Sequence, residues 1–167
     1  NRINYIFHFK LPQLNFSPTN EANLWALMII LLKLPNDKIP HFMRMWKNSN
    51  AMERQVADIV AFFDLISSHA PNNYDLYKAG LETIVSTIDL AHILGQPING
   101  SALVDSYEAL PIKNNRDLVI DGHFLLKNGI PAGPRVGLLL EEIKKAVLDG
   151  VIGNNEAAIT EFISSNH

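Results

Sequence analysis

The sequence predicts an all-α fold, a multi-helix body followed by a smaller helical tail. Three observations carry this. Apolar residues recur at helical spacing through most of the chain. Sustained apolar–polar alternation is absent, and Leu118-Val119-Ile120 is the one short strand candidate. Pro, Gly and Asn/Asp/Ser clusters separate the periodic segments, as residues that cap and stop helices do.

In chain order, Tyr5-Ile6-Phe7-His8-Phe9 suits either strand or helix, and Leu11-Pro12 ends it. Ser17-Pro18-Thr19-Asn20 is a loop with capping residues. A helix from Glu21 to Leu34 follows, apolar almost all round and so expected to be buried on most faces. Pro35 ends it. Asn36 or Asp37 can cap a helix to Trp46, with Pro40 tolerated in its first turn. Ile39, Phe42, Met43 and Trp46 share one face, so Trp46 is expected in the core rather than as a base-stacking platform. Ser49 or Asn50 then caps a long helix to Ser68 with Val56, Ile59, Val60, Phe63 and Ile66 as its core stripe.

Ala70-Pro71-Asn72-Asn73 is a break, and one helix is expected over 74–94. Gly95-Gln96-Pro97-Ile98-Asn99-Gly100 makes the best boundary, giving a body over 1–96 and a tail over 97–167. Ser101 to Leu110 is a short helix stopped by Pro111. Asp121 can cap a helix over Gly122–Lys127, which Asn128-Gly129 ends. Ile130-Pro131-Ala132-Gly133 is a tight connection. Pro134 opens a longer helix, with Val136, Leu139, Leu140, Ile143 and Val147 as its apolar stripe and Asp149-Gly150 as its end. Asn154-Asn155 caps a last helix to Ser164. The count is about eight or nine helices.

Composition bounds the function. The 167 residues suit one domain or two small ones. There is no cysteine, which excludes disulfides and thiolate chemistry and fits a reducing cytoplasm. The formal charge is −3, so no overall basic field announces a nucleic-acid binder. Residues 1–70 carry 7 basic and 5 acidic side chains, or +2, and residues 71–167 carry 7 and 12, or −5. Contact with RNA therefore needs local patches. The chain opens without a signal-peptide pattern, and its longest apolar run, Leu24 to Leu32, is far short of the roughly 20 residues that cross a bilayer. No membrane role is expected.

The chemistry of a self-contained site is not evident. The six histidines show no close ligand spacing, so no metal site is expected. Asp117 and Asp121 suit capping better than acid–base work. Glu141-Glu142 reads as a solvated face, with Glu141 and Lys145 at i,i+4 spacing. No P-loop, nucleophile elbow or cysteine nucleophile is present.

The tail supplies a more specific signal. Leu110-Pro111-Ile112-Lys113, Asp117-Leu118, Ile120-Asp121-Gly122, the Gly129-to-Gly137 pattern G-x-P-x-G-P-x-x-G and the following LLEEI occur in fixed order. Upstream stands Phe42-Met43-Arg44-Met45-Trp46-Lys47-Asn48-Ser49-Asn50, a hydrophobic-x-x-W-K-x-S-N pattern. Together, over roughly Leu24 to Ile163, these features resemble the body and tail of the bacterial class II CCA-adding enzymes. These are the tRNA nucleotidyltransferases related to bacterial poly(A) polymerases. Phe124 departs from that pattern, where the family often has Asp, and Pro131-Ala132 shifts the usual Pro by one place.

The resemblance implies a C-terminal portion that holds the acceptor and T arms of tRNA, with Tyr5–Phe9 at the end of a helix entering the body. In the family a separate head does the chemistry with a Gly-Ser pair and an Asp-x-Asp motif, because divalent ions on the reacting phosphates need adjacent carboxylates. This chain has no Asp-x-Asp and no E-D-x-x-R nucleotide-reading motif. No catalytic residue and no cofactor is therefore expected here, magnesium, CTP and ATP belonging to the absent head and neck. The expected partner is tRNA and not DNA. The expected RNA contacts are Arg44 and Lys47 in the body, and Lys113, Arg116, Lys127 and Arg135 in the tail, the last beside a helix N-terminus. Two readings from other classes stand beside this one. One is a helical protein–protein interaction module using an exposed face of Leu24–Leu32. The other is a helical enzyme whose carboxylates or histidines converge only in the fold.

Overall fold

The structure, a computed structural model, describes residues 20–166. Among them are eight α-helices and no strand: α1 (Glu21–Leu31), α2 (Ile39–Met45), α3 (Asn50–Ser68), α4 (Asn73–Ile93), α5 (Gly100–Glu108), α6 (Gly122–Lys127), α7 (Pro134–Leu148) and α8 (Glu156–Asn166). A single 3₁₀ turn, Asn36–Lys38, precedes α2. Tyr5–Phe9, Leu11-Pro12 and Ser17-Pro18-Thr19 of the expected loop lie outside the described residues. The strand candidate at Leu118–Ile120 is irregular. Leu118 and Ile120 are buried and Val119 is exposed, but the Val119 N–H donates to Asn154 Oδ1 (3.0 Å) instead of to a neighbouring strand.

The described residues gather into two compact units. One comprises the chain up to Ser68 together with Glu82–Gly100, and the other comprises His69–Leu81 together with the chain from Ser101 onward. The expected division at 96/97 is therefore not the one along which the contacts part.

In the first unit α1, α2 and the 3₁₀ turn all pack on α3. Ala26, Ile29, Ile39, Met43, Val56, Ile59 and Leu90 are fully buried there. Asn20 caps α1 by accepting the Asn23 N–H (2.8 Å). The helix stops at Leu31, short of the expected Leu34, because the chain closes a Schellman motif. Leu34 N–H donates to Ile29 O (3.1 Å) and Lys33 N–H to Ile30 O (3.0 Å), with Lys33 left-handed at φ 51°. α2 ends the same way around Lys47 (φ 57°), Asn48 N–H donating to Met43 O (3.2 Å). Neither Asn36 nor Asp37 caps α2, which opens on Lys38 with no side-chain cap. Asn36 Nδ2 instead reaches Asp64 (3.3 Å). The cap of α3 is Ser49, whose Oγ accepts the Met52 N–H (3.1 Å).

Trp46 corrects an expectation. It is 60% exposed, as is its neighbour Met45 at 62%. Helical spacing placed Trp46 on an apolar stripe, but α2 ends at Met45 and the chain turns at Lys47, so the indole lies at the helix end. It clusters with Trp25 (ring centroids 6.0 Å) and Phe42 (6.4 Å) at the surface.

In the second unit α6 packs on α7. Leu76, Ile112, Leu125, Leu139, Ile143, Val147, Leu148 and Ile159 are its most deeply buried side chains. The start of α4 is closed by a reciprocal capping box, Asp75 N–H to Asn72 Oδ1 (2.9 Å) and Asn72 N–H to Asp75 Oδ2 (3.0 Å). The same stretch is tied to α7: Asn73 Nδ2 donates to Leu148 O (2.8 Å), and the Tyr74 hydroxyl donates to Glu141 (2.7 Å).

α4 is not the continuous helix expected over 74–94. Gly80 breaks it at φ 72°, ψ 160°, a region open essentially to glycine alone. In an unbroken exposed helix, Gly→Ala stabilises by up to about 1 kcal/mol. Here the sign reverses: Gly80→Ala is expected to destabilise by about 1–3 kcal/mol, although a Cβ at that position would meet nothing within 4 Å. Denaturant titration of the mutant decides between the two signs.

Candidate nucleic-acid interface

The second unit builds its basic surface from a tightly hydrogen-bonded loop. The Asp117 carboxylate accepts the backbone N–H groups of Lys113 (2.8 Å) and Asn114 (3.1 Å) and the Asn114 side-chain amide (2.9 Å). Those donors, the Lys113 amide first, hold the Asp117 carboxyl below its ordinary range. Asn154 fixes the other side of the loop, donating to Asp117 O (2.7 Å). Asp117 thus serves the backbone, as its spacing suggested, and Arg116 is presented beside it.

Asp121 then caps α6, accepting the Phe124 N–H at 2.9 Å. An open groove of about 570 Å³ lies against this segment, lined by Arg116, Asp121, His123, Phe124, Lys127 and Glu156 among others. Two of the expected RNA contacts, Arg116 and Lys127, therefore share one groove with a histidine.

The hairpin between α6 and α7 turns at Gly133, which precedes Pro134 at φ 143°, ψ −169° and offers no side-chain cap. Arg135 stands exposed in the first turn of α7. The fold thus places a cation next to the positive end of a 15-residue helix, a position where an anion gains from both.

The six expected contacts differ in what they already touch. The Lys113 ammonium is paired with Glu108 and stands 5.8 Å from the Tyr107 ring centre. Arg44 donates to Pro40 O (3.0 Å) and lies 3.8 Å from Glu53. Lys47, Arg116, Lys127 and Arg135 are exposed, with no carboxylate within 4 Å among the described residues. Arg44 and Lys47 belong to the first unit and the other four to the second.

A group of cations not singled out in the sequence surrounds Tyr74 and Tyr77, whose rings stack at 6.4 Å. Lys145 lies 4.8 Å and Lys78 5.7 Å from the Tyr74 ring centre, and Lys144 lies 5.4 Å from that of Tyr77. The ion pair that closes within 4 Å is Glu141–Lys144 (2.6 Å, i,i+3), and Lys145, at the expected i,i+4 spacing, acts on Glu141 through its charge. Lys144 is 7% exposed, and a buried ammonium needs a carboxylate more than an exposed one does. Lys144 and then the Tyr74 hydroxyl hold the Glu141 carboxyl below its ordinary range, while the bond to Glu141 pushes the Tyr74 phenol up. The signal in the sequence was the spacing Tyr74, Tyr77, Lys78, which puts three residues on one helix face.

Among the described residues no three His, Asp or Glu side chains converge as metal ligands would, and no helix is long and apolar enough to cross a membrane.

The tRNA nucleotidyltransferase domain 2 family matches residues 16–163, and the chain belongs to that family. Its relatives include the CCA-adding enzymes of Lactobacillus johnsonii, 97% identical over 156 residues, and Lactobacillus gasseri, 89% identical over the same length. The CCA-adding enzyme of Streptococcus uberis is 33% identical over 140 residues, or 83% of this chain and 34% of that one. The crystal structure of the Bacillus stearothermophilus CCA-adding enzyme in complex with CTP matches at a TM-score of 0.77 and 26% identity, over 89% of this chain and 38% of that one. The two Lactobacillus matches cover 93% of this chain and 39% of the relatives, so the chain spans about two fifths of their length.

The backbone at Gly133 generates a prediction. Its conformation is open essentially to glycine alone, and the surrounding space is free. Gly133→Val is expected to destabilise the protein by about 1–3 kcal/mol through backbone strain alone. An unchanged thermal melting curve would show that the hairpin accommodates a side chain there.

Proposed function

We propose that this chain is the tRNA-holding portion of a CCA-adding tRNA nucleotidyltransferase. It grips the acceptor and T arms while a catalytic head, carried elsewhere in the length of the relatives, works on the 3′ end. The observation that carries this reading is 97% identity to a CCA-adding enzyme over 93% of the chain. The physical work is positional. Double-stranded RNA exposes phosphates and 2′-hydroxyls along a wide, shallow minor groove, so a helical surface recognises it by shape and charge more than by sequence. Of the six expected contacts, Lys47, Arg116, Lys127 and Arg135 are free to meet phosphates, and Arg44 and Lys113 would first leave Glu53 and Glu108.

The second reading, a protein-interaction module, is favoured by one observation. Leu24, Leu32, Met45 and Trp46 are each at least half exposed on the first unit, an apolar surface of the kind that takes a polypeptide. Binding of a protein partner by a chain that ignores tRNA would decide for this reading.

Two outcomes are expected of the tRNA reading. Incubated with tRNA lacking its 3′ end, labelled CTP and ATP, and magnesium, the pure chain adds no nucleotide, because it carries no Asp-x-Asp pair. Reproducible extension would place catalytic groups within the chain. The chain also binds tRNA weakly, with a salt slope of only a few units, because each neutralised phosphate releases somewhat less than one counterion. Replacing Lys127 and Arg135 together by Ala should weaken binding alike for all tRNAs and flatten that slope. An identical slope, or binding confined to one tRNA, would show that the contacts lie elsewhere.

A further inference from the structure

The Tyr74–Tyr77 cluster holds three ammonium groups and one carboxylate. Glu141 accepts a hydrogen bond on each oxygen, from Lys144 at 2.6 Å and from the Tyr74 hydroxyl at 2.7 Å. Lys78 and Lys145 are exposed, and each ammonium lies over the Tyr74 ring. Two ammonium groups with no carboxylate within 4 Å among the described residues therefore sit within 6 Å of one ring centre, and Glu141 feels the charge of Lys145 from further off. The unit around them, His69–Leu81 with Ser101 onward, carries 7 Lys and Arg against 10 Asp and Glu, or −3. The cations are gathered here against the charge of the unit as a whole.

The ring contacts also decide what these lysines can do. A cation over an aromatic face keeps most of its hydrogen-bonding capacity while losing freedom of its long stem. A partner anion then gains an ammonium already in place, and the cost of ordering it falls. The surface continues directly into the loop described above. Tyr77 donates its hydroxyl to Asn115 (2.8 Å), and Arg116 is the next residue.

We propose that Lys78 and Lys145, positioned by the Tyr74 ring, form a second phosphate-contacting surface for the bound tRNA, continuous with Arg116. This rests on the tRNA-holding reading and adds to it a surface on α4 and α7, away from the α6–α7 hairpin residues Lys127 and Arg135. Buried Lys144 does not contact the RNA. It forms the ion pair with Glu141, and neither Lys78 nor Lys145 has a carboxylate within 4 Å among the described residues.

The test compares the wild-type chain, Lys78→Gln/Lys145→Gln and Lys78→Arg/Lys145→Arg in salt titrations against tRNA. The Gln pair should lose about tenfold in affinity per lysine at 50 mM salt and have a slope shallower by about 1.5 units, while the Arg pair retains both. In parallel, acetic anhydride labelling of the wild-type chain should show Lys78 and Lys145 protected by tRNA. Labelling decides the matter even if the Gln pair fails to fold. Wild-type binding with an unchanged Gln pair, or with both lysines labelled equally with and without tRNA, overturns this surface and leaves the tRNA-holding reading standing. No binding by the wild-type chain overturns both. Equal competition by polyglutamate would mark a general polyanion surface and overturn the assignment to RNA.

Discussion

A buried ammonium requires a partner, and the second unit is arranged around supplying one. Lys144 lies almost wholly out of water, and its bond to Glu141 is what makes that burial tolerable. Glu141 in turn fixes Tyr74, so the first part of α4 is held to α7 by a polar node as well as by Leu76 and its apolar neighbours. Tyr77 carries the constraint onward to Asn115 and hence to the loop that Asp117 closes. The node has a sign with pH. Glu141 has a folded pKa below its unfolded one, so its stabilisation is present above the unfolded value and is lost as the pH falls through the folded one.

The helical character and most helix ends were legible in the sequence. Asp121 and Pro134 mark the starts of α6 and α7 because caps and first-turn prolines act locally, within one turn of chain. The stop at Leu31 was not legible. The turn uses Lys33 in a left-handed conformation, and nothing in a lysine announces that. The break at Gly80 was not read either, since a glycine's φ cannot be read from its identity.

The surface was less legible than the fold, for a tertiary reason. Periodicity shows which residues share a face but not whether another element covers it, and so Trp46 was placed inside. Pairing among charges has the same limit. Glu141 has lysines at both i+3 and i+4, and the choice between them was made by which one the fold buries. What the sequence could not reveal was that Arg44 and Lys113 are engaged by Glu53 and Glu108 while Arg116 and Lys127 line one groove.

The division of α4 at Gly80 bears on the order in which the chain can fold. The first unit needs Leu90, Ala91 and Ile93 for its core, yet these follow the segment His69–Leu81 that belongs to the second. On a ribosome, where the chain emerges from its N-terminus, the first unit cannot be completed when Ser68 appears. It must wait while a segment with no partner yet made passes through, and that segment gains Asn115 more than 30 residues later and α7 more than 50 residues later. Neither unit is a contiguous stretch of sequence, so neither can be excised by a single cut.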